Sequence, residues 1–218
     1  MTVDQAIDTV LTIASAAFPF DPDIKLDPET RTRQIRVAIE KVLDTRGIHT
    51  TAKLFEKHDP PKECKVVIYA TTSTNVSHPQ ALRNYRSRGS SLDPTIVETL
   101  CATLATPQFF APVKIGARGR EQDFVGGPVG VNNPTRELLK EANIIYSGEK
   151  RVAQIISLGA GLPSTATSHI VDQAKIAEHY IHSLITDCET VASELYTRLL
   201  TVNAYVRFNV NFGTETLA

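Results

Sequence analysis

A surplus of either charge is missing from this 218-residue sequence: 23 Lys and Arg stand against 24 Asp and Glu, for a formal net charge of −1. Without a basic field, nucleic-acid recognition through phosphate neutralisation has no support. The nearest basic cluster, Arg83-Asn84-Tyr85-Arg86-Ser87-Arg88, is short and suits a solvated loop. Cysteine is scarce as well. Cys64, Cys101 and Cys188 lie far apart and are odd in number, which suits reduced thiols in a cytoplasmic compartment better than a disulfide framework. No stretch approaches the ~20 uninterrupted apolar residues of a membrane span. The opening Met1-Thr2-Val3-Asp4-Gln5-Ala6-Ile7-Asp8 has neither a cationic n-region nor an apolar h-region, so it does not read as a signal peptide.

What is present is the composition of a globular chain, 42% hydrophobic and 22% charged, at a length suited to one α/β domain. Thr2 and Gln5 stand at capping-box spacing, and Val3, Ala6, Ile7, Val10, Leu11, Ala14 and Ala17 follow at helical intervals up to Pro19. Phe18 to Pro28 reads as a loop, Arg33 to Leu43 as a second helix with Ile35, Ala38, Ile39 and Val42 on one face, and Lys57-His58-Asp59-Pro60-Pro61 as a linker. Lys65 to Ala70 is a β-branched run suited to a strand buried on both faces in a parallel sheet, with Ala81 to Tyr85 as an edge strand beside it. Asp93 and Pro94 open a helix as N-cap and N1, with Ile96, Val97, Leu100 and Leu104 as its stripe. Phe109-Phe110-Ala111-Pro112-Val113 leads into a second β region through Ile115, and the Asp123-Phe124-Val125 strand precedes a Gly/Pro-rich turn. A helix starts at Asn132-Asn133-Pro134 and runs through Ala142. Val152 to Leu158 and Tyr205 to Val210 read as strands, and Thr167 to about Leu200 as helix in one or two pieces. Strands separated by helices indicate a layered α/β domain.

The common chemical motifs are missing. No serine lies in the G-x-S-x-G elbow of an α/β hydrolase, and Ser157, inside Ile156-Ser157-Leu158-Gly159, reads as a buried strand serine. Gly159-Ala160-Gly161 is a lone G-x-G followed by Pro163 and reads as a strand-to-loop turn. His179 and His182, with His169, Asp172 and Glu178 nearby, could be drawn as a metal site, but neither H-E-x-x-H nor a cysteine pair supports it. Cys101, beside Leu100 and Leu104, reads as a structural thiol.

The informative segment is Phe124-Val125-Gly126-Gly127-Pro128-Val129-Gly130-Val131-Asn132-Asn133-Pro134. Its strand, turn and helix start resemble the region around the D-G-G/A motif of patatin-like phospholipases. Glu98-Thr99-Leu100-Cys101-Ala102-Thr103-Leu104-Ala105-Thr106-Pro107-Gln108-Phe109-Phe110 is similar to that family's W-E-A-A-R-A-T-S-A-A-P-T-F-F helix. Ile155 to Gly161 is similar to its I-x-S-L-G-T-G strand, and Tyr205 to Val210 to its Y-F-R-F-N-V ending. The order is preserved from residue 1 to about residue 213.

The resemblance implies a three-layer α/β/α patatin-like sandwich with a mainly parallel central sheet. It makes residues 1–213 a partial patatin-like domain, N-terminally truncated, and 214–218 a C-terminal tail. It implies a lineage of serine acyl hydrolases acting on lipid acyl esters through a Ser–Asp dyad, with no metal and no other cofactor. Lipid or fatty-acyl ester is then the partner class, with transient contact at a membrane surface. The oxyanion loop and the nucleophile elbow would lie before residue 1. Gly126 stands at the dyad aspartate's position, with Gly127 and Pro128 in the rest of the motif, and a glycine cannot accept a proton. Asp123 is the candidate to substitute, although an odd offset from Gly126 turns it to the other face of a regular strand. Phe109 and Phe110 are candidates to line an acyl pocket. The expectation is an impaired or inactive family member, beside two alternatives: a non-catalytic lipid-binding or regulatory module, and an incomplete gene product.

Overall fold

The computed structural model describes residues 1–21, 23–56, 64–87, 92–161, 180–181 and 183–210. Helix and strand are mixed, and the chain divides into two compact units, Met1–Gly130 and Val131–Ala218.

In the first unit, α1 (Val3–Ala17) starts on the expected Thr2–Gln5 capping box and ends at Phe18, whose N–H donates to the Ala14 carbonyl. Its apolar side is largely uncovered: Val3, Ile7, Val10 and Leu11 are exposed and only Ala17 is buried. α2 (Pro28–Thr45) begins earlier than the Arg33 expected. Asp27 is its N-cap, its Oδ1 accepting from the Thr30 N–H at 2.9 Å, and Pro28 fills N1, where no N–H is needed. Ile35, Ile39 and Leu43 bury one stripe of it. α3 (Ile96–Leu104) starts two residues later than Asp93-Pro94 indicated. Its cap is Thr95, in a capping box with Glu98, and Leu104 lies exposed rather than in the apolar stripe.

Four strands form one sheet in the order β2-β1-β4-β3: β1 (Val67–Thr72), β2 (Asn75–Arg83), β3 (Val113–Ile115) and β4 (Gln122–Phe124). Every pairing in it is antiparallel. The expectation of a mainly parallel sheet is therefore corrected here, while β1 does bury the consecutive residues Ala70, Thr71 and Thr72, and with them both of its faces over that stretch. Thr72 pairs with Asn75, so Ser73 and Thr74 form a tight connection, and a connection that short allows only the antiparallel arrangement. β2 lies at the sheet edge, where Pro79 lacks no ladder bond that the core needs. α3 packs on β1 and β3, α2 on α3, and α1 on α2. Ile39, Val97, Cys101, Ile115 and Phe124 are the largest fully buried hydrophobic side chains of the resulting core.

In the second unit, α4 (Thr135–Tyr146) begins after the expected Asn-Asn-Pro start. β5 (Ile155–Leu158) and β6 (Tyr205–Phe208) pair in parallel, Ile155 against Tyr205 through Leu158 against Phe208. This pair is where the parallel expectation holds. Between them in sequence, residues 183–185 are helical and α5 (Glu189–Leu199) is a separate helix, whose first N–H groups at Glu189 and Thr190 donate to Asp187 Oδ1. Ile155, Leu195 and Tyr205 form a small core with Leu139, Val191 and Leu199. Among the described residues no helix is long and apolar enough to cross a membrane.

Candidate functional site

The strand that reaches the glycine turn ends at Phe124, which is fully buried. Pairing with β1 continues past it: the Val125 N–H donates to the Thr71 carbonyl at 2.8 Å, and the Thr71 N–H to the Gly126 carbonyl at 3.1 Å. Gly126 then adopts φ +99°, a region that favours glycine. A Cβ built there would lie 3.0 Å from the Thr106 amide nitrogen and 3.1 Å from the Ala105 carbonyl carbon. Both are backbone atoms and cannot swing aside.

Gly127 is more confined, because a Cβ would meet Thr103 Oγ1 and the Tyr69 carbonyl, each at 2.7 Å. Its N–H donates to the Thr103 carbonyl at 2.9 Å, satisfying one of the carbonyls that the end of α3 leaves without a helical partner. The Thr103 hydroxyl donates to the Tyr69 carbonyl at 2.8 Å, and the buried Thr71 hydroxyl to the Val129 carbonyl at 2.8 Å. Pro128–Val131 is a single kinked turn, with Gly130 at φ +83°. The turn is thus fastened on both sides by backbone bonds and presents no titratable group of its own.

Asp123 sits on β4 between Gln122 and the buried Phe124, opposite Lys114, and is exposed. The strand therefore carries it on the face away from Phe124, three residues before Gly126. Phe109 and Phe110 do not face each other across a pocket. Both meet the Phe18 ring edge-on, with centroids 5.8 Å apart in each pair, and the Arg31 guanidinium lies over the Phe18 ring at 5.3 Å from its centroid. Phe110 is buried in the first core, and Phe109 is partly exposed beside it.

Ser157 is buried and held from two directions. Arg207 Nη1 donates to its Oγ at 2.8 Å, and the Thr135 hydroxyl, whose proton goes to Asn133 Oδ1 at 2.6 Å, lies 3.4 Å away. Gly159 extends the parallel ladder by donating to the Phe208 carbonyl at 2.8 Å, and the Gly161 N–H donates to Asn209 Oδ1 at 2.9 Å. These glycines close a strand end on Asn209. All three cysteines are free. Burial pushes the Cys101 thiol up to about 11, against a smaller opposing pull from Arg36, so it is a protonated packing residue and not a nucleophile. His169, Asp172, Glu178, His179 and His182 lie outside the described residues, and among those described no group of three His, Cys, Asp or Glu is gathered to hold a metal.

One feature of the second unit has no motif in the sequence. A groove of about 890 Å³ opens between α4, the segment after it, α5 and the approach to β6. Among the described residues five cations line it, Arg136, Lys140, Lys150, Arg151 and Arg198, against one carboxylate, Glu194. They come from three separate stretches of a chain that is close to neutral overall. Only the helical spacing of Arg136 and Lys140 and the adjacency of Lys150 and Arg151 were visible beforehand. Glu194 is ion-paired to Arg136, with Arg198 at 3.8 Å, and the Arg136 hydrogen bond holds its carboxyl below the usual range. No protein-family model matches the chain, and no curated protein matches it significantly.

Proposed function

We propose that this chain is a patatin-like relative that does not hydrolyse acyl esters through a Ser–Asp dyad. The observation that carries the reading is Gly126. By the resemblance it stands where the dyad aspartate would be, and it is the residue whose φ of +99° and backbone neighbours at 3.0–3.1 Å leave no place for a side chain. A carboxylate there would need both a different backbone conformation and a displaced end of α3. Asp123 supports no substitute, being exposed and on the other face of its strand. Without a base the rate enhancement falls by several orders of magnitude, about 10⁴ or more in triad enzymes.

The same reading takes the finer architecture to be a patatin-type α/β/α sandwich. Its support is the parallel pairing of β5 with β6 and the layering of helices on the strands, while the antiparallel sheet around β1 departs from it. A reducing, cytoplasmic setting belongs to the reading too, supported by the three free cysteines.

The test is an assay of the full chain with p-nitrophenyl esters of several acyl lengths and with phospholipid vesicles, beside labelling by a fluorophosphonate probe. Neither turnover nor serine labelling is expected. Turnover accompanied by labelling of one serine overturns the proposal.

A further inference from the structure

We infer that the groove of the second unit binds an alkyl carboxylate, an organic anion with a single apolar chain. Two properties coincide there that a solvated helix surface does not combine. The floor is apolar, since Leu139, Ile155, Leu195 and Leu199 line the groove and belong to, or pack against, the unit's own core. The rim is cationic, five to one.

The cations are not equally committed. Glu194 engages Arg136 and lies near Arg198, and Lys140 pairs with Glu137 at 2.6 Å. Lys150 and Arg151 are exposed neighbours with no carboxylate partner among the described residues, Lys150 resting over the Tyr146 ring at 4.9 Å. A bound anion would be met by these two, with Val202 and Leu199 beside the chain that follows it. The volume falls in the ~300–1,000 Å³ range of small-molecule sites. An inorganic anion would leave the apolar floor unused, and an uncharged lipid would leave the rim unused. An amphiphilic anion satisfies both.

None of these residues belongs to Met1–Gly130, so the site does not rest on the reading of Gly126, and hydrolysis by the chain would leave it standing. The experiment titrates octanoate, decanoate and dodecanoate, each below its micelle concentration, into the full chain by calorimetry, with dodecanol and acetate as comparisons. Each added methylene is expected to tighten binding by up to about fourfold, the equivalent of ~0.8 kcal/mol. Dodecanoate is expected to bind about tenfold more tightly than dodecanol at low salt, a preference that salt erodes. The exposed pair Lys150→Glu and Arg151→Glu removes that preference, and Val202→Asp, also at an exposed position, weakens the dependence on chain length. Arg33→Glu, on α2 of the first unit, changes neither. Acetate binding as tightly as dodecanoate, dodecanol binding as tightly as dodecanoate, or an unaltered affinity in the Lys150→Glu/Arg151→Glu variant each overturns the inference.

Discussion

Thr103 and Gly127 are joined twice, by a backbone hydrogen bond of 2.9 Å from the Gly127 N–H to the Thr103 carbonyl and by the lack of a Cβ, which would sit 2.7 Å from the Thr103 hydroxyl oxygen. The end of α3 and the glycine turn therefore act as one piece of structure. In this chain the turn is where the helix is anchored to the sheet.

That anchoring sets the outcome of placing a carboxylate at Gly126. Gly126→Asp is expected to create no esterase and to destabilise the protein by about 2–5 kcal/mol, combining a positive-φ penalty with overpacking. Gly126→Ala should lose nearly as much, because the first carbon already collides. Urea unfolding of both variants, followed by circular dichroism, checks this. A Gly126→Asp protein as stable as the parent would mean the backbone can relax there.

Thr71→Val tests the other side of the turn. The substitution keeps the shape but withdraws the hydroxyl donor from the Val129 carbonyl, inside a region where Thr71 is fully buried. A loss of about 1–3 kcal/mol is expected from the unmet acceptor. Thr71→Ser, which retains the donor, should lie closer to the parent in the same unfolding series.

Ser157→Ala addresses the buried serine. It removes the acceptor for Arg207 Nη1, while the Arg207 side chain is nearly enclosed. Stability should fall by about 1–3 kcal/mol, and binding of dodecanoate should be unchanged, since Ser157 does not line the groove. A fluorophosphonate adduct on Ser157 in the parent protein would contradict this role.

Acid stability follows from two caps and an ion pair. The Thr30 backbone N–H holds the Asp27 carboxyl below its ordinary 3.8, the Thr190 hydrogen bonds do the same for Asp187, and Arg136 depresses Glu194. A carboxyl depressed by folding contributes stability that is complete above its unfolded value and is lost as pH falls through the folded one. Melting temperature should thus be level near neutrality and drop below about pH 4. Asp27→Asn, which still accepts at the cap, should flatten part of that drop and cost little at pH 7. Melting curves at pH 7, 4 and 3 measure it.

How much of this was readable from the residues is seen best in two Asp-Pro pairs. Asp27-Pro28 does cap a helix, although the apolar stripe of that helix first becomes obvious near Ile35. Asp93-Pro94 carries the same signal and does not. There Lys53 bridges to Thr95, its ammonium reaches the Asp93 carbonyl at 2.6 Å, and the Leu54 N–H donates to Pro94, so the pair belongs to a β-like contact and the Thr95–Glu98 box starts the helix instead. Local spacing was sufficient at Thr2–Gln5 and in β5, where Ile155 and Ser157 are buried while Ile156 and Leu158 are exposed; β6 stops at Phe208 and grades from a buried Tyr205 to an exposed Phe208 instead of alternating. It was insufficient for the hairpin from β1 to β2, whose Ser73-Thr74 turn has neither glycine nor asparagine at its centre. The second unit's groove was illegible for a different reason: its cations gain meaning only when α4, α5 and the segment between Gly148 and Ile155 are brought together.

The three thiols stand at different depths, with Cys64 exposed, Cys188 buried and Cys101 both buried and held protonated near neutrality by a value pushed up to about 11. One thiol lies in each unit's interior and one on the surface, so the wild-type chain carries its own set of chemical clocks. A brief pulse of alkylating reagent tags Cys64 alone. Longer exposure counts the openings of each half separately, Cys101 timing the first and Cys188 the second, and peptide mass spectrometry reads the two rates from a single sample without any engineered reporter.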